Sequence, residues 1–565
     1  MLGQMMDRPL LISNLLRHAE LQHPEREIVS ITADHPRHRQ TFRQAFGRAR
    51  QLANALRSAG VQHGDRIATL AWNDFRHVEI YYAVSGSGYV CHTINPRLFE
   101  DQIVYIANHA ADRWLFLDPA FVPLIEKLRH RLPSIERYVV LTDDAHLPDT
   151  TLPSLISYEA LLAGQSDSFE WPQFDEQTAS SLCYTSGTTG DPKGVLYSHR
   201  STVLHCLSMA LPDAYNLSSR EVMLPVVPMF HVNAWGLPYG CVMVGAKLVL
   251  PGPKMGDAAV LQELIETERV SLAAAVPTVW QTMLGYLEQT GKSIAPLQRI
   301  VSGGAAVPAA LMQNYRECHG VEIVHAWGMT ETSPIGTICT LSAEAQAMSA
   351  QRQSALRLKQ GRSVFGIELK ITDDEGHELP RDGRAFGALK VRGPWVASRY
   401  FQQPAESPAN AAFDPDGWFN TGDVATICPL GYLQITDRTK DVIKSGGEWI
   451  SSIELENLAV AHPAIAQAAV IAITHPKWQE RPLLVVVLKP GHTVARDELL
   501  HFYVGKVAKW CIPDDVVFVE QLPLTATGKI SKLQLRQRLA DYRWADAPGT
   551  AGNGVQSPTA TKLAQ

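Results

Sequence analysis

The stretch "YTSGTTGDPKGV", Tyr184 to Val195, holds three Gly, four Ser/Thr, one Pro and one Lys in twelve positions. That composition suits neither a helix interior nor a central strand. The apolar "SSLCY" that leads into it reads as a strand ending in a loop. In such a loop, backbone N–H groups and hydroxyls face outward together and cradle phosphate oxygens, and Lys193 supplies a mobile positive charge. The Walker pattern is not met, because Pro192 precedes Lys193 and Gly194 follows it. Taken alone, the stretch is equally well a surface turn.

Around it the chain reads as α/β. Ala45, Ala49, Leu52 and Leu56 recur at helical spacing from Gln44 to Ser58, Gly60 follows, and "RIATLAW" from Arg66 is a buried strand. The same helix-then-strand rhythm returns at Ala259 to Pro277 and at Leu311 to Trp327. Between about Gly361 and Ile435 the texture changes to short β segments separated by Gly, Pro and Asp. Beyond "DRTKD" (Asp437 to Asp441) it predicts a helix near Ser452–Val460, a strand near Ala468–Ile473, a helix near Arg496–Lys509 and a strand near Val516–Val519. The expected fold class is α/β: a large multi-sheet N-terminal domain over 1–436 with a β-rich subdomain at about 361–436, and a small mobile α+β C-terminal domain over 442–546. The small, polar segment 547–565 reads as a disordered tail, and Leu341 to Gln360 as a partly helical, partly charged spacer to which the sequence assigns no role.

With 565 residues, 45% of them apolar, the chain has enough core for more than one domain. A formal net charge of -6 and the lack of any Lys/Arg run exclude a nucleic-acid partner. The eight Cys are scattered, with no C-x-x-C pair, and the N-terminus has no secretory pattern, so reduced thiols in the cytoplasm are expected. No segment approaches the roughly 18 apolar residues of a membrane span, which leaves only peripheral membrane contact open.

Six further segments keep the opening stretch company: "PMFHVNAWG" (228–236), "SGGAAVP" (302–308), "HAWGMTET" (325–332), "GWFNTGDVA" (417–425), "DRTKDVIKSGGEWIS" (437–451) and "PLTATGKISK" (523–532). In order and content the set resembles the adenylate-forming superfamily of acyl-CoA synthetases, luciferases and peptide-synthetase adenylation domains. The resemblance implies conversion of a carboxylate to an acyl-AMP with loss of pyrophosphate, followed by transfer to a thiol, with ATP, Mg²⁺ and coenzyme A as implied cofactors and co-substrate.

By that resemblance, Thr185, Ser186, Gly187, Thr188, Thr189 and Gly190 wrap the β- and γ-phosphates with Lys193 beside them. Thr330 meets the α-phosphate, Glu331 holds Mg²⁺, and Thr185 is a second metal contact. Gly303, Gly304 and Ala305 would line the adenine slot, closed by Trp327 with Gly328 and Met329, although Trp327 alone reads equally as core. Asp423 would accept from the two ribose hydroxyls and Arg438 would lie near the ribose. Lys529 corresponds to the family's catalytic lysine, which neutralises charge shared by the attacking carboxylate and the α-phosphate. The hinge for domain rotation falls on Lys440 within 437–441, and Lys444, Gly446, Gly447 and Trp449 fall where relatives build the thioester-forming face.

His231 resembles the residue that positions the acid's carboxylate, and Trp235 a Trp that gates an acyl tunnel. The stretch Val232 to Gly236 offers no charge to a substrate ammonium, and "AAAVPTVW" (273–280) is small and apolar, which suits an alkyl chain. The wording of "CHTINPRLF" (91–99) and of 183–205 resembles bacterial medium- and long-chain fatty acyl-CoA ligases, with the methylmercaptopropionate-CoA ligases sharing much of it. Chain length and a preference for sulfur stay open, and a homodimer is expected by analogy with similar ligases. A serine hydrolase is disfavoured by the lack of a G-x-S-x-G elbow, and a zinc enzyme by the lack of H-E-x-x-H. A non-catalytic binding relative is disfavoured by the presence of Lys529, Glu331 and the Gly-rich loop together.

Overall fold

The computed structural model describes residues 1, 3–185, 191–404, 406–445, 448–525 and 529–544, with 408, 409, 448 and 449 in backbone alone. Ser186–Gly190, Gly446, Gly447 and the 547–565 segment therefore lie outside the described residues, as does the Trp449 side chain.

The chain divides into two compact units, described separately below. The first comprises Met1–Ala305, Asn314–Leu369 and Val391–Phe419. It is built on two sheets whose strands come from the helix-then-strand units legible in the sequence. One sheet has seven strands in the order Leu155–Ser157, Arg137–Val140, Trp114–Leu117, Arg66–Leu70, Val90–Thr93, Ala179–Tyr184 and Gly194–Ser198. It is parallel except for its last pair. The other has nine, from Arg362–Ser363 through Ile335–Ile338, Glu322–Gly328, Arg299–Gly303, Leu272–Ala275, Val222–Pro225, Lys247–Leu250 and Glu27–Ser30 to His38–Thr41. Its centre is parallel and both edges turn antiparallel.

The helix Phe75–Gly86 touches strands of both sheets and is buried along its whole length. A helix in that position cannot keep a polar face in water, so its charges must be paired. Arg76 bonds Asp34 and Glu159, and Glu79 meets Arg48, Gln40 and the Tyr158 hydroxyl. The neighbouring helix starts at Phe42, two residues before the apolar period does, because Thr41 and Gln44 form a capping box.

The spacer 341–360 forms two short helices, Ala343–Gln346 and Ala350–Arg357, each N-capped by a serine. It packs back on the edge of the nine-stranded sheet through Arg357 to Glu322 and the Cys339 thiol to the Leu356 carbonyl. Gly361 then returns the chain at φ 92°, where a Cβ would sit 2.0 Å from the Ile338 carbonyl carbon.

The second unit holds Ala306–Gln313, Lys370–Lys390 and the chain from Asn420 on. The strands Phe419–Ile427 and Leu433–Arg438 form its entry and belong to a four-stranded sheet with Glu368–Thr372 and Phe386–Arg392. Beyond the turn at 439–442, a five-stranded sheet pairs Ile465–His475 with Gln479–Leu488, flanked by Asp515–Phe518 and the hairpin Ile443–Ser445/Glu448–Ile450. The helix at Ser452–Val460 matches the sequence reading. The one expected at Arg496–Lys509 stops at Phe502, where the chain turns through Gly505 at φ 78°. The strand Gln479–Leu488 goes unread in the sequence because Pro482 lies within it.

Candidate active site

The first unit carries the residues expected to meet the phosphates, the adenine and the acid. The strand Ala179–Tyr184 pairs antiparallel with Gly194–Ser198, Tyr184 opposite Gly194, so the Gly-rich loop is the connection between two neighbouring strands. At its base, the Thr185 N–H donates to the Lys193 carbonyl (2.9 Å) and the Lys193 N–H donates to Thr185 Oγ1 (3.2 Å). Thr185 and Lys193 are thus placed together, as expected.

Glu331 and Thr330 lie in the short turn Thr330–Thr332 that follows the strand Glu322–Gly328. Both are buried. Their backbone is tied to neighbours: the Tyr197 hydroxyl donates to the Thr330 carbonyl (2.6 Å) and the Ala397 N–H to the Glu331 carbonyl (2.8 Å). The Tyr400 hydroxyl donates to Glu331 Oε1 (2.6 Å), and the Lys193 ammonium lies 4.9 Å from the centre of the same tyrosine ring. One residue therefore braces both the carboxylate and the cation. Burial, reinforced by the charge of Glu331, pushes the Tyr400 phenol well above its usual range, so it stays a donor. Neither Tyr400 nor Tyr197 was legible as a site residue, because a lone tyrosine in "SRYF" or "VLYS" carries no pattern.

Among the residues expected to line an adenine slot, Gly303 ends the strand Arg299–Gly303, and a Cβ there would sit 2.6 Å from the Ala326 carbonyl oxygen. Gly304 has φ 83°, a conformation other residues rarely adopt. Trp327 is buried with its six-membered ring against Gly336, where a Cβ would fall 2.4 Å from the ring. His325 is buried beneath them, its pKa pushed down to about 4 by loss of solvent, partly offset by its hydrogen bonds to the Leu358 and Ala305 backbone.

At the segment expected to receive the acid the backbone is unusual. Val232, Asn233, Ala234 and Trp235 have φ of 47°, 50°, 48° and 58°, and Gly236 follows at 76°. This is one turn of left-handed helix, closed by Ala234 N–H to the His231 carbonyl (3.2 Å) and Gly236 N–H to the Asn233 carbonyl (3.0 Å). A left-handed conformation costs a residue with a Cβ about 1–2 kcal/mol, and a β-branched valine is among the worst placed to adopt it. The turn is held from two sides. The Asn233 amide donates to Ser181 Oγ (2.9 Å) and its carbonyl accepts from the Cys183 thiol (3.4 Å). Beside Gly236 stands the imidazole of His205, 2.8 Å from where a Cβ would be. Burial pushes His205 down to about 3, leaving it neutral, and its Nε2 accepts from the Ile335 N–H (3.2 Å). The tip of the Trp235 ring lies 3.6 Å from the Cβ position of Gly303, which links the turn to the end of the strand Arg299–Gly303.

The second unit carries the other expected residues. Asp423 and Arg438 face each other across paired strands, with the guanidinium Nε 2.8 Å from Asp423 Oδ1, and Asp423 is buried. Asp437 accepts from the Ser452 N–H (2.6 Å) and hydroxyl (2.7 Å), and Arg536 donates to Asp441 (2.8 Å). Both ends of the 437–441 segment are thus anchored, with Lys440 between them. Loss of solvent lowers the Lys440 ammonium, against the opposing charge of Asp441. Lys444 sits in the strand Ile443–Ser445, its N–H donating to Glu480 (2.8 Å). Lys529 is half-buried, and its backbone closes a small hairpin with Thr525: the Thr525 N–H donates to the Lys529 carbonyl (2.6 Å) and the Lys529 N–H to Thr525 Oγ1 (3.2 Å).

Two family models cover most of the chain: "AMP-binding enzyme" matches residues 16–401 and "AMP-binding enzyme C-terminal domain" matches 454–529. The chain belongs to the AMP-binding enzyme family. Among curated relatives, this AMP-binding enzyme is 53% identical over 541 residues to the 3-methylmercaptopropionyl-CoA ligase of Ruegeria lacuscaerulensis, covering 96% of this chain and 99% of the relative. It is 51% identical over 541 residues to the medium-chain-fatty-acid–CoA ligase of Ectopseudomonas oleovorans, covering 96% and 98%. Among solved structures, the anthranilate CoA ligase AuaEII in complex with anthranoyl-AMP superposes with a TM-score of 0.84 at 27% identity, covering 95% of this chain and 99% of that one. The multi-sheet α/β fold with a large N-terminal and a small C-terminal domain is thus that of the adenylate-forming AMP-binding enzymes.

Proposed function

We propose that this enzyme joins a medium- or long-chain fatty acid to coenzyme A through an acyl-AMP, releasing AMP and pyrophosphate. The observation that carries the reading is the Lys193–Tyr400–Glu331 arrangement, with an uncharged turn from Val232 to Gly236 serving the acid. A carboxylate is a poor electrophile, and transfer of its oxygen to the α-phosphorus creates a leaving group that a thiol can displace.

Each residue has a task in this reading. The loop base at Thr185 and Lys193 holds the β- and γ-phosphates, and Thr330 offers its hydroxyl to the α-phosphate. Asp423 and Arg438 orient the ribose, and Trp327 with Gly303 and Gly304 bounds the adenine. His231 aims the acid's carboxylate, and Lys529 stabilises the charge shared with the α-phosphate in the transition state. Rotation about Lys440 then brings the 444–449 face into use for thioester formation.

The residues fit a Mg²⁺ ion. Tyr400 occupies Glu331 Oε1, Oε2 has no hydrogen bond among the described residues, and Thr185 adds a hydroxyl, an all-oxygen set suited to a hard cation. When bound, the ion would neutralise charge on the triphosphate. The eight free cysteines support a reducing compartment such as the cytoplasm. Among the described residues no helix is long and apolar enough to cross a membrane.

A second reading, a ligase for a short sulfur-containing acid, is favoured by the 53% identity to the Ruegeria lacuscaerulensis protein. One experiment tests both. Purified protein is incubated with ATP, Mg²⁺, CoA and a series of acids from propionate to palmitate, with 3-methylmercaptopropionate included, and AMP, pyrophosphate and thioester are measured. The proposal expects AMP and pyrophosphate in equal amounts with an alkyl acid. No AMP from any acid in the series would sink it.

A further inference from the structure

We propose that Asn233 is a positioning residue for the acid site: it locks the left-handed turn onto the strand that leads into the phosphate loop, and so fixes where the acid is received. The inference rests on the ligase reading for the word "acid", and on geometry for the rest. The turn Val232–Trp235 sets side chains with a Cβ in a conformation that isolated residues avoid, so something outside its backbone must hold it. Two backbone hydrogen bonds within the turn do not suffice, because a right-handed turn would make the same kind of bond without the steric conflict.

The external hold is the Asn233 side chain. Ser181 and Cys183 are two apart on one strand and therefore present their side chains on one face. That face offers an acceptor, Ser181 Oγ, to the Asn233 amide and a donor, the Cys183 thiol, to its carbonyl. Both ends of one planar amide are satisfied, and every group involved is buried. Thr93 Oγ1 lies 3.3 Å from the same sulfur and adds to the packing around the thiol. Asparagine also tolerates the left-handed region better than most residues, so this position joins a local preference to a tertiary anchor.

The same strand ends at Tyr184 and runs directly into Thr185, whose hydroxyl pins the base of the phosphate loop. At the far end of the turn, Gly236 abuts His205 and the Trp235 ring reaches Gly303. Releasing Asn233 frees the turn to relax, which moves His231 and Trp235 directly and reaches the adenine-lining residues only through the Trp235 ring beside Gly303.

The test compares Asn233→Ala, Asn233→Gly, the double variant Ser181→Ala/Cys183→Ala, and Cys183→Ser. Octanoate- and ATP-dependence of AMP formation are measured, together with amide hydrogen exchange of the peptide spanning 228–240. Both Asn233 variants and the double variant should raise the KM for octanoate about ten-fold or more while the KM for ATP stays within about two-fold, and should speed exchange in that peptide. Cys183→Ser keeps a donor and should stay close to the parent in all three readouts. The proposal is overturned if Asn233→Gly behaves as the parent, since backbone freedom alone would then explain the residue. It is also overturned if octanoate and ATP constants rise in parallel. Should the parent chain form no AMP with any acid, the ligase reading fails, and the exchange arm still decides: unchanged exchange in Asn233→Ala refutes the anchor, and faster exchange supports it.

Discussion

The Tyr400 hydroxyl donates to Glu331 Oε1 over 2.6 Å, and both residues are buried. Removing that donor strands a buried carboxylate oxygen, at a cost of about 1–3 kcal/mol. Tyr400→Phe keeps the ring beside Lys193 but drops the hydroxyl. It should lower kcat/KM by about 10–100-fold, the range seen when the hydrogen-bond partner of a metal ligand is lost, and shift the Mg²⁺ dependence to higher concentration. A Mg²⁺ titration of AMP formation checks this, and an unchanged half-saturation point would separate Tyr400 from the metal role proposed for Glu331.

The hydrogen bonds that tie Lys529 to Thr525 use its backbone N–H and carbonyl, which a substitution of the side chain retains. Lys529→Ala should abolish acid-dependent release of pyrophosphate, by about 100-fold or more, while conversion of supplied acyl-AMP and CoA to thioester continues at a rate near the parent's. Rapid-quench assays of the two half-reactions decide it. Equal loss in both would show that the lysine does not belong to the first step alone.

These residues show what a sequence exposes and what it hides. That the Gly-rich stretch at 184–195 connects two elements, and that Gly303 and Gly304 sit where other residues do not fit, was legible because turns and close backbone approach demand particular residue types. Helix Ser452–Val460 was legible because its apolar period is local. Tyr400 was not, since its value comes from meeting Glu331 across 69 positions of chain. Asn233 was visible only as an uncharged residue, because nothing in "FHVNAWG" announces four consecutive left-handed residues. That conformation depends on Ser181 and Cys183, some fifty positions earlier. The spacer 341–360 stayed unread for the same reason: its partner, Glu322, lies in a different element.

Gly236 closes the left-handed turn with φ 76°, and a Cβ there would sit 2.8 Å from the His205 ring. Gly236→Ala therefore combines a disfavoured backbone with a clash against a buried, hydrogen-bonded imidazole. It should destabilise the first unit by more than about 1 kcal/mol and raise the KM for the acid more than that for ATP. Thermal denaturation and acid-saturation curves of the same preparation check both parts. A Tm equal to the parent's would mean that His205 can step aside at no cost.

His205 also gives a stability signature in pH. Burial holds its folded pKa at about 3, against about 6.5 in an unfolded chain. The unfolded state therefore takes up a proton as pH falls through about 6.5, the folded state does not, and stability declines by up to about 1.4 kcal/mol per pH unit until the folded pKa is reached. Buried His77 and His325, both pushed down to about 4, act in the same direction. Asp112 and Asp437, raised by burial, act in the opposite one, so the informative quantity is a difference between two proteins. Ion-paired Asp34, held low by its hydrogen bonds from Arg76 and Thr32 despite burial, loses its contribution only below the usual carboxylate range. Between about pH 6.5 and pH 4.5 the comparison thus isolates the histidine. His205→Asn removes the titrating group, and its Tm should fall less steeply than the parent's across that window while lying below it at neutral pH. Parallel Tm curves for the two proteins would show that His205 already takes up its proton in the folded state.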